Sequence, residues 1–544
     1  MRFSTRSILT GAAGILCSLA LSAGARAQTT PPAWLSARSI GNSQFSSAYP
    51  APVVDKDGNT YRAGTFSAAV TIAGSQYACL GSSDAYVVKL DAAGNQLWLR
   101  LFSTSAYEFA SGLALDKAGN VYVNLAVTNR TALGNNVTLD GGSYVVRFSP
   151  LGEPAWAQKT GPTTIAVDDQ DHVYLTSTFQ NTYSLGGTTL QNPGTGLHAQ
   201  YLGRLSATTG AVQLLQLVGH YPPPGPARFN YYSPMIAVAP AGNVFLLNRF
   251  EERIIVHADT FTTRGFGDVL ITRYTSQGGY EWVRQYGGAG RDYLEQAVAD
   301  ASGNLYLTGS FDQTATFGTL TATTTGAYDA YLVKYSTEGA AQWVQTGGGP
   351  SSDYWNALTL DAAGNPYVAG TFFNQAKVGT AALVGAGSND IMVAAYTAAG
   401  QLRWVQQAGG PANDASYGLG IDAAGIVYLY GDTPAACSFG AATVTAASRV
   451  ENYLARLAST PLATKDARPQ ALGLYPNPAT DRVQLPALPT GTRVQLVDAL
   501  GRVAREAVVS AAGQVSVRGL VPGLYTLRAT TTQGQALTGR LVVE

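Results

Sequence analysis

The amino-acid sequence predicts an all-β fold: a seven-bladed β-propeller with four strands per blade, its N-terminal strand closing the last blade, followed by a small Ig-like β-sandwich. Three observations carry this. A pattern typified by Leu360 to Gly370, LDAAGNPYVAG, occurs seven times, beginning at Asp55, Asp116, Asp168, Ala239, Asp300, Asp361 and Asp422. A second landmark, typified by DAYLVKY from Asp329 with Trp343 after a turn, accompanies each copy. The final copy lacks its Trp strand, and the spare sits at the other end of the repeats, around Trp34. Repeats of fixed long period are supersecondary blocks that bury their apolar faces only against neighbours.

Within a repeat the first strand is the apolar lead-in, as in NALTLD, and Asp-x-x-Gly-Asn makes the bend. Alternating residues such as Tyr367 and Val368 then lead out as the second strand. The Gly suits a turn position with positive φ, and Asn follows well in turn chemistry. The spacing of Asp55, Asp57 and Asn59 invites a calcium-loop reading, but other copies replace the middle acid with Ala and no Glu completes a ligand set. The third strand recurs as DAYVVKL from Asp84, SYVVRF from Ser143, QYLGRL from Gln200, DVLITRY from Asp268, DIMVAAY from Asp390 and NYLARL from Asn452. The fourth carries Trp98, Trp156, Trp282, Trp343 or Trp404, with Leu214 in that slot of the third copy. Four strands suit a propeller blade, and a strand missing at the tail but supplied at the head suits a closed ring, which removes exposed sheet edges.

These motifs, GG-x-x-x-D, then D-x-x-G-N-x-Y-x-x-G, then DAYLVKY with its Trp, resemble the SBBP β-propeller repeat family over about residues 34–457. The third and fourth copies depart from it, at Gln170-Asp171-His172 and at Ala239-Pro240. The resemblance implies an extracellular propeller and no particular reaction.

Composition agrees with a soluble, β-rich chain. Of 544 residues 46% are hydrophobic and only 12% charged, and 34 Lys+Arg balance 34 Asp+Glu, so bulk charge offers no hold on nucleic acid. After the N-terminus no apolar run is long enough to span a membrane. Residues 1–27 read as a secretory signal: Arg2 and Arg6, an apolar segment, then Ala25-Arg26-Ala27 before Gln28. The mature chain then retains Cys79 and Cys437, in the first and last blades, which a closed ring makes neighbours and candidates for a disulfide. The propeller is expected over 28–458 and a polar linker over 459–472.

Residues 473–544 form the second domain. Tyr475-Pro476-Asn477-Pro478, Asp498-Ala499-Leu500-Gly501-Arg502, Pro522-Gly523-Leu524-Tyr525 and a terminal strand at Leu541-Val542-Val543 make it similar to the C-terminal sorting domain of type IX secretion substrates. That resemblance implies a secreted or cell-surface protein, with the secretion machinery as a partner and the domain usually removed on export.

The four histidines, His172, His198, His220 and His257, fall in different repeats at no ligand spacing, and no phosphate-binding loop occurs, so neither metal nor cofactor is expected. The loops before the first strands carry a more informative series. Glu108, Asp292, Asp353 and Asp414 each stand eight residues before the turn Asp, as a partial ring of carboxylates, with Tyr293, Tyr354 and Trp355 beside them. The longest such loop adds Phe229, Tyr231 and Tyr232. Carboxylates with stacking rings are what a neutral glycan or polar ligand needs. The alternative is that each acid bonds loop amides and the aromatics pack between blades. A non-catalytic binding or scaffold module for a glycan or protein is the expectation; the competing ones are an enzyme on extracellular polysaccharide, which needs two acids in differing environments, and a structural surface-layer component.

Overall fold

Asp361 shows why the recurrent turn folds as it does. Its Oδ1 accepts the amides of Ala363 (3.0 Å) and Asn365 (2.9 Å), while Oδ2 accepts the Asn365 side-chain amide (2.9 Å) and the Tyr367 hydroxyl (3.3 Å). Gly364 closes the bend at φ 75°, a conformation that costs Gly nothing. The same bonds form at Asp55, Asp116 and Asp300. At Asp168 the His172 ring nitrogen replaces the Asn amide at 2.9 Å. Both oxygens of Asp361 are thus bonded by the amides and hydroxyl of its own turn. Among the described residues no group of three His, Cys, Asp or Glu is placed to hold a metal. Replacing Asp361 by Ala strands several donors, and the expected cost is about 1–3 kcal/mol, read as a lowered urea midpoint.

This computed structural model describes residues 31–42, 51–194, 198–222, 233–446, 450–459, 470–498, 502–530 and 536–544. Among them every regular element is a strand. The chain divides into two compact units, Met1–Thr460 and Pro461–Glu544. The signal segment 1–27 and most of the linker lie outside the described residues.

In the first unit each copy of the repeat builds a four-stranded antiparallel group, giving a propeller-like arrangement. The fifth, for example, runs Asp292–Ala299, Leu305–Phe311, Asp329–Tyr335, Ala341–Gly348. Trp34–Asn42 completes the last group by pairing antiparallel with Glu451–Ala458, from Trp34 opposite Leu457 to Asn42 opposite Glu451. First strands of successive groups lie beside one another, and Ala415–Ile421 of the last lies against Val53–Val54 of the first.

Two devices join neighbouring groups. Five fourth-strand Trp residues donate the indole N–H to a carbonyl just past the third strand of the following group: Trp98 to Pro150 (3.0 Å), Trp156 to Ala207 (2.8 Å), Trp282 to Thr337 (2.9 Å), Trp343 to Ala398 (3.2 Å) and Trp404 to Ser459 (2.8 Å), whereas Trp34 of the closing strand donates to Gln407 O of the preceding group at 3.2 Å. In the third group, where Leu214 replaces Trp, the Gln216 side-chain amide reaches Gly278 O instead, at 2.7 Å. The second device is absent from the sequence reading. A β-hairpin between second and third strands, such as Thr314–Phe317 with Leu320–Thr323, pairs with the end of the preceding group's fourth strand. That approach explains one Gly of each GG pair: a Cβ on Gly288 would lie 1.8 Å from Thr314 O.

Cys79 and Cys437, the candidate disulfide pair, are both free. Cys437 is buried among Phe439, Tyr453 and Trp404, whereas Cys79 lies against the separate cluster of Val70, Tyr86 and Tyr428. The two thiols therefore belong to separate apolar clusters of the first unit.

The second unit has a five-stranded sheet and a two-stranded one, Arg482–Gln484 with Gln514–Ser516, which share a single apolar core. Its motif residues tie the chain together. Asn477 Oδ1 accepts the Val542 amide at 2.7 Å, Asp498 takes the Arg502 amide at 3.0 Å, and the Tyr525 hydroxyl donates to Val521 O at 2.8 Å.

Candidate functional site

Glu108, Asp292, Asp353 and Asp414 occupy equivalent places, as expected, but they do not face a ligand: each is at most 1% exposed. Glu108 accepts the Thr104 amide (2.9 Å), Asp292 that of Gly288 (2.8 Å), Asp353 those of Gly349 (2.7 Å) and Phe373 (3.1 Å), and Asp414 that of Gly410 (2.7 Å). A second set of buried acids, Asp84, Asp268, Asp329 and Asp390 at the heads of third strands, likewise binds loop amides. Desolvation disfavours the charged form here. Burial, with Asp268 and Asp312 adding to it, pushes Asp292 up to about 7 against the Gly288 amide and Arg249. Burial pushes Asp353 up to about 6, Asp329 adding a smaller push and the Phe373 and Gly349 amides opposing. The carboxylate ring is therefore architecture of the loops.

Trp355 is also no ligand platform. It is fully buried, with its ring edge-on to Tyr396 at 6.0 Å. Phe229, Tyr231 and Tyr232 lie outside the described residues.

Tyr293 and Tyr354 remain part-exposed, and the structure brings them together through a residue the sequence reading missed. Backbone bridges pair Gly267 with Arg291 and Tyr328 with Ser352, so the residue before a third strand meets the loop leading into the following first strand. Tyr328 thereby stands between its two partners: its ring is 5.7 Å from Tyr293, edge-on, and 6.2 Å from Tyr354, stacked at 26°. The Arg249 guanidinium lies 4.0 Å over the Tyr293 ring and 3.8 Å from Glu251. Arg291 stands 5.7 Å over Phe266, which is 65% exposed, and its guanidinium also approaches the Tyr328 hydroxyl. Glu295 follows on the same strand as Tyr293, open to solvent yet hemmed in by protein, which pushes its carboxyl up against the pull of Arg249. A smaller pair, Tyr107 stacked on Phe109 at 6.1 Å, marks the corresponding place in the second group.

Such a run of rings separated by guanidinium groups can stack on the apolar faces of successive sugar rings while the cations and hydroxyls bond their substituents. Nothing in the repeat pattern announces Tyr328, because its position is held by Ser83, Gly267 and Asn389 in other copies. The break from the pattern was the available signal.

Comparison with known proteins bears on the two units separately. Residues 473–544 match the family described as "Secretion system C-terminal sorting domain". The second unit is thus a sorting domain of type IX secretion, which marks the chain for export. An uncharacterized WD repeat-containing protein of Acanthamoeba polyphaga mimivirus is 22% identical over 371 residues, 54% of this chain and 26% of that protein. The chain thus spans about a quarter of that relative's length. Among solved structures, the quinohemoprotein alcohol dehydrogenase ADHIIG of Pseudomonas putida is similar at TM-score 0.36 and 11% identity, over 81% of this chain and 79% of its own. The extracellular domain of a putative hybrid two component system of B. thetaiotaomicron is similar at TM-score 0.25 and 12% identity, over 90% and 72%. Likeness at this level says nothing of activity.

Proposed function

We propose that residues 28–458 form a closed seven-bladed β-propeller of SBBP-type repeats, released from a signal peptide at 1–27 and exported to the cell surface or medium through the sorting domain at 473–544. Pairing of Trp34–Asn42 with Glu451–Ala458 and the contact of Ala415–Ile421 with Val53–Val54 support closure. The propeller is a non-catalytic binding module whose ligand is a glycan, held on the surface formed by Tyr293, Tyr328 and Tyr354.

One observation carries this reading: three part-exposed rings stand within 6.2 Å of their neighbours across a junction between groups, where the repeat pattern does not require them. Binding is preferred over polysaccharide cleavage because the carboxylates of the recurrent series, Glu108, Asp292, Asp353 and Asp414, are buried on loop amides. The test is affinity of the exported chain for a panel of immobilised polysaccharides. Tyr328→Ala is expected to weaken binding about tenfold, in line with about 1–1.5 kcal/mol for an aromatic contact, with an unchanged thermal midpoint. Equal binding by wild type and variant on every polymer would rule this surface out.

A further inference from the structure

Resting on that binding reading, we infer that the ligand is an anionic glycan, a polymer of sugar rings bearing carboxylate or sulfate groups. Aromatic rings accept the face of any sugar, so the charges set between them decide the class. Three guanidinium groups border the surface. Arg249 covers Tyr293 at 4.0 Å, Arg291 covers Phe266 at 5.7 Å, and Arg264 donates to Gly287 O at 3.3 Å. Of the neighbouring acids Glu295 is exposed on the Tyr293 strand and feels the pull of Arg249, while the others are held within the protein. Glu251 faces Arg249 at 3.8 Å, Asp312 Oδ1 accepts the backbone amide of Arg291 at 2.7 Å, Asp268 is buried with its oxygens on the Arg264 amide and Gln285, and Asp292 is buried with one oxygen on the Gly288 amide.

Arg264 and Arg291 are both exposed, and Arg291 is the one whose guanidinium lies over Phe266 and beside the Tyr328 hydroxyl. Its planar fork matches carboxylate or sulfate oxygens, and guanidinium sheds water more readily than ammonium does. Arg also lies flat on aromatic rings, so one side chain can meet both the ring and the charge of a sugar acid. The chain as a whole is neutral, with 34 cationic and 34 acidic residues, so a cationic aromatic strip is a local arrangement and not a by-product of bulk charge.

The experiment titrates the exported chain against polygalacturonate and its methyl-esterified form, heparin and its desulfated form, dextran, and polyaspartate. Binding to one or both charged polymers at least tenfold tighter than to the uncharged counterpart is expected, and which pair responds separates carboxylate from sulfate as the recognised group. Arg291→Gln should cut that preference about fivefold and leave binding to the uncharged forms unchanged. Arg130→Gln, an exposed substitution elsewhere with its side chain 78% accessible, should change nothing. Tyr328→Ala should weaken binding to charged and uncharged polymers alike. Equal affinity for charged and uncharged forms would overturn the anionic class while leaving the glycan surface standing. Polyaspartate binding as tight as polygalacturonate would also overturn it, since charge alone would then suffice. Binding to no polysaccharide would overturn both readings.

Discussion

Trp404→Ala is expected to lower the stability of the first unit by about 3–5 kcal/mol, the cost typical of removing a large buried aromatic. Trp404 is 1% exposed, packs edge-on against Tyr367 at 5.9 Å, and donates to Ser459 O at 2.8 Å. It stands where the sixth group meets the seventh, the group completed by the N-terminal strand. Trp404→Phe keeps most of the packing and loses the N–H bond, for an expected cost nearer 1–2 kcal/mol, since a carbonyl left without its donor is penalised. Urea unfolding followed by tryptophan-independent circular dichroism gives both values. A Trp404→Ala shift below about 1 kcal/mol would mean that the indole is not what joins the two groups.

Asp292→Asn is expected to stabilise the protein in alkaline solution and to leave it unchanged in acid. The Asp292 carboxyl is raised from its ordinary value near 3.8 to about 7 in the folded chain, chiefly by burial. A raised carboxyl favours folding while it is protonated. That contribution is complete below about pH 4 and is lost progressively as pH rises through 7. Three pH units correspond to about 4 kcal/mol at most, given 1.36 kcal/mol per unit. Asn keeps an oxygen to accept the Gly288 amide and never ionises. The variant should therefore gain up to about 4 kcal/mol over wild type at pH 8, and its midpoint should be flatter between pH 5 and 8. A variant less stable than wild type at pH 8 would show that the charged carboxylate is what the loop requires.

Much of the fold is legible in the letters because the repeats are locally self-sufficient. Asp361, Gly364, Asn365 and Tyr367 interact within seven residues, so their spacing in the sequence is already their geometry in the turn. The orphan strand at Trp34 is legible for a different reason: it is the one piece the last copy lacks. The clasping hairpins are less so, since short runs such as TATF and LTAT carry little apolar periodicity and find their partner in another repeat.

The candidate surface divides along the same line. The offset of Asp292 and Asp353 from the turn correctly places them at equivalent positions, but position does not give direction. Side chains alternate along a strand, so Asp353 and Trp355 turn into the protein while Tyr354, between them, turns out. The spacing G-G-x-x-x-D already holds the answer for Asp292, Asp353 and Asp414, because it sets a glycine amide four residues before each carboxylate, the place that Thr104 takes before Glu108. Tyr328 is illegible, since only tertiary pairing with Ser352 brings it to Tyr354.

The contact of Trp404 with Ser459 also bears on how the two units can be parted. Ser459 N bonds Gly425 O at 3.1 Å, so this residue is held from both sides by the body of the repeats. A cleavage that parts the sorting domain from intact repeats therefore falls downstream of it. A cleavage even a few residues earlier would unzip the strand on which Trp34–Asn42 lies, and the first unit would lose its tail and its head at once.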